Sequence, residues 1–263
     1  GHGALKMIED GALNGIDEIY GWHNWPAIPF GKMICPNGLV MCGNGTFELT
    51  LTGKGGHASQ PELCRDPVLA ASAITLAMQQ LVSRRLSPQQ AVVVSITSID
   101  TFNSSPTVIP ETAVIGGSLR IPDETTRVQV NQLIEDISIH TAQSYGVHCD
   151  VEITPRYQAT INHSAQAQRA RSTWQALYGD GRYGDDSLDN SLAVPIMASE
   201  DFSYFLQEIP GAFALIGSDD GDSHDHPCHS PYYDFNDRLI PRVTRYFSQI
   251  AGVEAPPAID TED

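Results

Sequence analysis

The stretch from Thr46 to Thr154 constrains the fold most, because it reads as a complete small domain set inside a larger one. Apolar and polar residues alternate from Thr46 to Thr52, as in a strand with one buried face. Asp66 and Pro67 then supply an N-cap and a proline at the first helical position. A helix is expected from there to about Arg85, with Leu69, Ala73, Leu76 and Ala77 on its apolar face. Residues 91–99 and 113–121 have strand-like composition. Asp123 opens a second helix whose inward face is Val130, Leu133, Ile134 and Ile137. Val147, Cys149, Val151 and Ile153 alternate in a last strand. The order is βαββαβ, the ferredoxin-like split unit. Its two helices would cover one sheet face and leave the other open to a ligand or partner. The expected fold class is α/β with two domains: a body of residues 1–44 and 158–263, interrupted by a lid of residues 45–157.

Bulk properties narrow the function classes. The 263 residues, 41% of them hydrophobic, suffice for real cores. No apolar run approaches the roughly 18 residues that suggest a membrane span, and no signal peptide is visible. A net charge of −17 argues against nucleic acid, whose phosphates need clustered Lys and Arg. Three lysines stand against twelve arginines and Asp outnumbers Glu, which fits a salt-adapted surface or an ordinary acidic cytosolic protein. Cys35, Cys42, Cys64, Cys149 and Cys228 are odd in number and lack paired spacing, so they read as free thiols of a reducing, cytoplasmic compartment. The acidic tail from Glu254 to Asp263 reads as disordered.

Several residues carry possible chemistry. His23 follows a predicted short strand, Asp17 to Trp22, and precedes Pro26. That is where α/β sheets place ligands, although a structural histidine fits too. Gly53, Gly55 and Gly56 lead into His57 on a turn that lets backbone approach closely; a solvent-exposed turn histidine is the alternative. Arg120 falls in strand register opposite Ile115, Leu119 and Ile121, so it would emerge on the open sheet face. There it suits a substrate carboxylate, gripped by two parallel hydrogen bonds, or a plain surface ion pair. Glu200 and Asp201 stand at a predicted helix start, where capping or a role near a cation would explain them. The loop from Ser218 to Tyr233 carries His224, His226, Cys228 and His229. Four donors so close together rarely close a tetrahedron, so His229 alone is expected to face a site and the rest to face water. Residues 183–190 read as a polar loop.

Together these stretches resemble the M20 metallopeptidase family, in the amidohydrolase branch that holds hippurate hydrolases, bacterial N-acyl-amino-acid amidohydrolases and plant auxin-conjugate hydrolases. The resemblance runs through Met7–Gly11, Trp22–Pro26, Gly53–Ala58, Val108–Pro110, Ala198–Ser203, and His229 with Tyr233–Asp237. It implies a catalytic α/β domain with two divalent metal ions, zinc or manganese, and a ferredoxin-like lid that forms a homodimer. Of the family's ligands only His23 and His229 carry over. The family places a Cys-Gly-His-Asp segment and a Glu-Glu pair, with further ligands and the general base, ahead of the helix that opens this chain. The expectation is a C-terminal portion of such an enzyme, inactive alone. Thr107 stands where the family has Asn before Val-Ile-Pro, and Ser230 where Asn often follows the last histidine.

The resemblance also implies roles. His57 would reach the partner subunit's site and donate to the tetrahedral oxyanion. Arg120 would hold the substrate carboxylate, Thr107 would be a further substrate-binding residue, and Glu200 and Asp201 would orient ligands or the substrate amine. The substrate would be a small N-acyl amino acid, N-acetyl-diaminobutyrate being one that fits a salt-adapted source. A dipeptidase of the same family, or a binding protein that has lost the metals, are the alternatives.

Overall fold

The computed structural model describes residues 3–179, 188 and 192–254. Its helices are α1 (Gly3–Glu9), α2 (Pro67–Gln80), α3 (Glu124–Ser144), α4 (Ser164–Tyr178), α5 (Ser203–Glu208) and α6 (Leu239–Ala251). The strands are β1 (Ile19–Pro29), β2 (Met33–Ile34), β3 (Gly38–Met41), β4 (Gly43–Thr52), β5 (Gly56–His57), β6 (Val93–Asp100), β7 (Val108–Ile109), β8 (Thr112–Ile121), β9 (His148–Pro155), β10 (Thr160–Asn162) and β11 (Gly211–Asp219). They group into two compact units. One comprises Met41–Ala159 with Met197–Glu200, and the other the chain up to Val40, Thr160–Ile196 and the chain from Asp201. The polar loop expected at 183–190 lies, but for Leu188, outside the described residues, as does the tail beyond Glu254.

The unit that begins at Met41 is an antiparallel sheet in the order β6-β8-β4-β9, packed against α2 and α3. Alternation decides its faces. Phe47, Leu49 and Leu51 of β4 and Ala113, Ile115, Leu119 and Ile121 of β8 are buried, and Arg120 lies on the opposite side. Asp66 caps α2 by accepting from the Val68 and Leu69 N–H groups, and Asp123 caps α3 by accepting from that of Thr126. Val130, Leu133, Ile134 and Ile137 point inward as their spacing predicts. The face of α2 does not. Ala70, Ala71, Ile74 and Met78 are buried, followed by Leu81, whereas Leu69 is 55% and Leu76 75% exposed. An alanine-rich helix carries apolar residues on two faces, and the small ones let α2 lie close to the sheet.

Both ends of this unit are tied together. The Asn44 N–H donates to Tyr157 O at 2.9 Å, the Arg156 N–H donates to Asn44 O at 3.0 Å, and the Tyr157 N–H donates to Asn44 Oδ1 at 2.8 Å. Arg127 of α3, only 4% exposed, reaches both chains: Nη1 donates to Asn44 O and Nη2 to Tyr157 O, each at 3.2 Å. Those two bonds and the ion pair with Glu124 support a cation that burial would otherwise make costly.

In the other unit β1 runs parallel to β11, which pairs antiparallel with β2; β3 pairs with β10. Gly211 to Ser218 of β11 are all buried, the burial expected of a parallel strand covered on both faces. Trp174 of α4 and Leu239, Val243, Tyr246 and Ile250 of α6 pack on Ala212, Ala214 and Ile216. The sequence places His23 after a short strand, but β1 continues through it. His23 pairs with Leu215, and the register breaks only between Trp25 and Pro29, since Pro26 lacks the N–H the ladder would use.

Candidate functional site

A strand and a loop, far apart in sequence, meet in the unit built on β1 and β11. The side chain of Asn24, next to His23, donates through Nδ2 to the Tyr233 hydroxyl at 2.6 Å and lies 3.9 Å from Cys228 Sγ. Cys228 Sγ in turn donates to Asn24 O at 3.8 Å. The immediate neighbours of His23 and of His229 are therefore in contact. His23 Nδ1 is 2.6 Å from Asn24 O. A carbonyl only accepts, so Nδ1 carries a proton and in the neutral imidazole Nε2 keeps its lone pair, the tautomer a metal-ligating histidine needs.

His229 is presented by a turn in which the Ser230 N–H donates to Pro227 O. It sits third of the four residues with φ of +69°, a backbone region that favours glycine. A histidine kept there marks a strained position of the kind found at functional sites. Of the other donors of this loop, His226 is exposed as expected, but His224 and Cys228 do not face water. His224 Nδ1 pairs with Asp220 Oδ2 at 2.8 Å, and that carboxylate also accepts from Asn236 Nδ2 at 3.1 Å, so both fold the loop. Burial pushes the Asp220 carboxyl up, but the hydrogen bonds from His224 and the Asp222 N–H outweigh it and hold it below the usual range. Burial pushes the Cys228 thiol up against a smaller opposing effect of backbone and Asn24, which disfavours the thiolate a metal would bind. Among the described residues no group of three or more His, Cys, Asp and Glu is placed to hold a metal ion. Imidazole nitrogen is a donor that such an ion accepts, and His23 and His229 are the histidines that Asn24 and Cys228 flank.

The other unit carries the remaining candidates. Gly53 lies against Arg65 O, and a Cβ at Gly55 would meet Ile109 O at 2.8 Å, so the glycines before His57 are dictated by close backbone approach. His57 pairs with Val108 in the β5–β7 ladder, and the Ala58 N–H donates to Thr107 O at 2.9 Å. His57 and Thr107 are thus brought together. Arg120 is engaged more fully than its sequence position suggests: Nε donates to Met197 O, and Nη1 to Ser118 Oγ and Leu119 O, each at 2.8 Å. In this arrangement Nη2 alone remains to meet a carboxylate, which gives one nitrogen rather than the bidentate fork. Glu200 follows Met197 in the segment that Arg120 holds. Asp201 belongs to the other unit, where its Oδ2 accepts from the Ala4 N–H at 3.0 Å. It caps the first turn of α1 rather than its own helix, so the two adjacent acids serve different bodies.

The sequence pattern of peptidase family M20/M25/M40 matches residues 1–252. The chain belongs to that family. It is 37% identical over 243 residues to an IAA-amino acid hydrolase of Arabidopsis thaliana, covering 91% of this chain and 53% of the plant protein. It is 31% identical to the hippurate hydrolase of Campylobacter jejuni, covering 95% of this chain and 63% of that one. Its fold matches a dinuclear metal-binding M20 peptidase of Bacillus subtilis with a TM-score of 0.76 at 25% identity, covering 94% of this chain and 60% of that one. The chain thus spans between half and two thirds of the length of these M20 relatives.

Sequence reasoning missed Asn24, Tyr233 and Asp220 as organisers of the segments that carry these histidines. Asn24 and Tyr233 stand inside the motifs that drew attention to His23 and His229, but their pairing crosses 209 positions and leaves no local signal.

Proposed function

We propose that this chain contributes to a metal-dependent amidohydrolase that cleaves the amide bond of a small N-acyl amino acid. The observation that carries the reading is the meeting at Asn24 of the strand that carries His23 and the loop that carries His229, in a chain of the M20 family. Relatives named for hydrolysis of acylated amino acids support the substrate class. Two divalent ions, when bound, would polarise the amide carbonyl and lower the pKa of water.

The chain's own residues have separate tasks. His23 and His229 would supply two ligands, with Nε2 of His23 turned to the ion by the Nδ1 bond to Asn24 O. His57 would donate to the amide oxygen as negative charge grows there. Arg120 would bind the substrate carboxylate through Nη2, Thr107 beside His57 would contact the substrate, and Glu200 would orient ligands or the substrate amine. We read the β4–β9 unit as a ferredoxin-like lid that forms a homodimer. The exposed Leu69 and Leu76 on α2 and the edge of β6, which among the described residues pairs with β8 alone, support that surface.

Two polypeptides test the proposal: these 263 residues, and the same chain extended by whatever its coding sequence places ahead of Gly1. Both are given zinc or manganese and assayed on N-acetyl amino acids, among them N-acetyl-diaminobutyrate, and on dipeptides. The 263 residues are expected to hold metal weakly and cleave nothing, because two histidines do not complete a site. The extended chain is expected to keep metal through dialysis and to prefer N-acyl amino acids. Preference for dipeptides would move the reading to a dipeptidase, and an extended chain without metal would leave only a binding protein.

A further inference from the structure

The turn that presents His57 contains a contact the reading above does not require. The Ser59 backbone N–H donates to His57 Nδ1 at 3.1 Å, and Ser59 Oγ lies 2.8 Å from the same atom. A backbone N–H can only donate. Nδ1 must therefore accept, and in a neutral imidazole the proton then resides on Nε2. The contact belongs to a fixed turn. His57 is paired with Val108, the Ala58 N–H donates to Thr107 O, and the Gln60 N–H donates to His57 O at 2.9 Å.

We propose that Ser59 is a positioning residue that holds Nδ1 of His57 as an acceptor, so that the imidazole offers Nε2–H outward. This rests on the reading of His57 as the donor to the amide oxygen. It separates that role from two others. With Nδ1 occupied and Nε2 protonated, neutral His57 has no lone pair turned outward, so it is neither a metal ligand nor a general base. A donor to a growing negative charge needs only the Nε2–H, already formed and aimed before the substrate arrives. Ser59 supplies that preparation from two positions along the chain, through one backbone and one side-chain donor.

The test is nitrogen-15 NMR of the 263-residue chain labelled at histidine, with His57 assigned by its loss in His57→Gln. The spectrum is recorded above the pH at which the imidazole titrates. The expected wild-type pattern has a protonated Nε2 and a bare Nδ1 whose resonance is displaced upfield by the two donors. Ser59→Ala removes the hydroxyl alone and should move the Nδ1 resonance downfield; Ser59→Thr should restore it. A proton found on Nδ1, or an Nδ1 resonance unmoved by Ser59→Ala, overturns the proposal. In a form of the protein shown to cleave N-acyl amino acids, Ser59→Ala is expected to lower kcat about 2- to 10-fold, the value of one hydrogen bond, with KM unchanged. Ser59→Thr should recover kcat there, and a kcat untouched by Ser59→Ala also overturns the proposal. An active His57→Ala enzyme would remove the donor role, whatever the spectra say about the tautomer.

Discussion

At the scale of single residues, His229 shows how a ligand and a backbone can want different things. Its φ of +69° is comfortable for glycine and costs any residue with a Cβ about 1 kcal/mol or more. Glycine normally destabilises relative to alanine because its unfolded chain is freer. At position 229 the order is expected to invert. His229→Gly should be more stable than His229→Ala by about 1 kcal/mol in urea unfolding, although both lose the imidazole. Equal stabilities, or alanine ahead, would show that the turn relaxes and that no strain is held there. None of this was legible in the sequence, since a histidine in a loop of histidines gives no hint of its φ. What the sequence does offer at His229 is the crowding of donors around it, which argues against a closed zinc cluster. The prediction that its neighbours face water failed for His224 and Cys228, whose partners Asp220 and Asn24 come from the end of β11 and from β1.

Among elements, the strands were easier to read than the helices. A period of two assigns each residue of β4 and β8 to one face or the other, and it placed Arg120 on the side away from the core. In α2, by contrast, leucines mark one face and alanines with Ile74 mark another, and the pattern alone does not say which is covered. Close packing against the sheet selected the small residues. Two substitutions separate the faces. Ile74→Ala should cost the unit about 2–5 kcal/mol, since Ile74 is fully buried. Leu76→Asp should change stability by no more than about 0.5 kcal/mol. It should nevertheless turn the proposed dimer into a monomer in analytical ultracentrifugation. A Leu76→Asp protein that stays dimeric would exclude this face of α2 from the interface.

For the whole molecule, legibility follows distance along the chain. The β4–β9 unit is almost one continuous stretch, so its order of elements could be written down from local pattern. The pairing of β1 with β11 joins Ile19 to Gly211, and no local signal says which distant strand a given strand will choose. The continuity predicts independence. Residues 41–159, expressed alone, are expected to unfold in a single cooperative urea transition, because the core formed by β4, β8, α2 and α3 is complete within them. A broad, non-cooperative transition would show that the core needs the rest of the chain. The tie between Asn44 and Tyr157 gives this independence a further meaning. A segment whose entrance and exit touch can be removed from its host, or exchanged for another, without stretching either. Recombination at those two points would exchange the whole unit and leave His23 and His229 in their reading frame, so one host could inherit a succession of inserts.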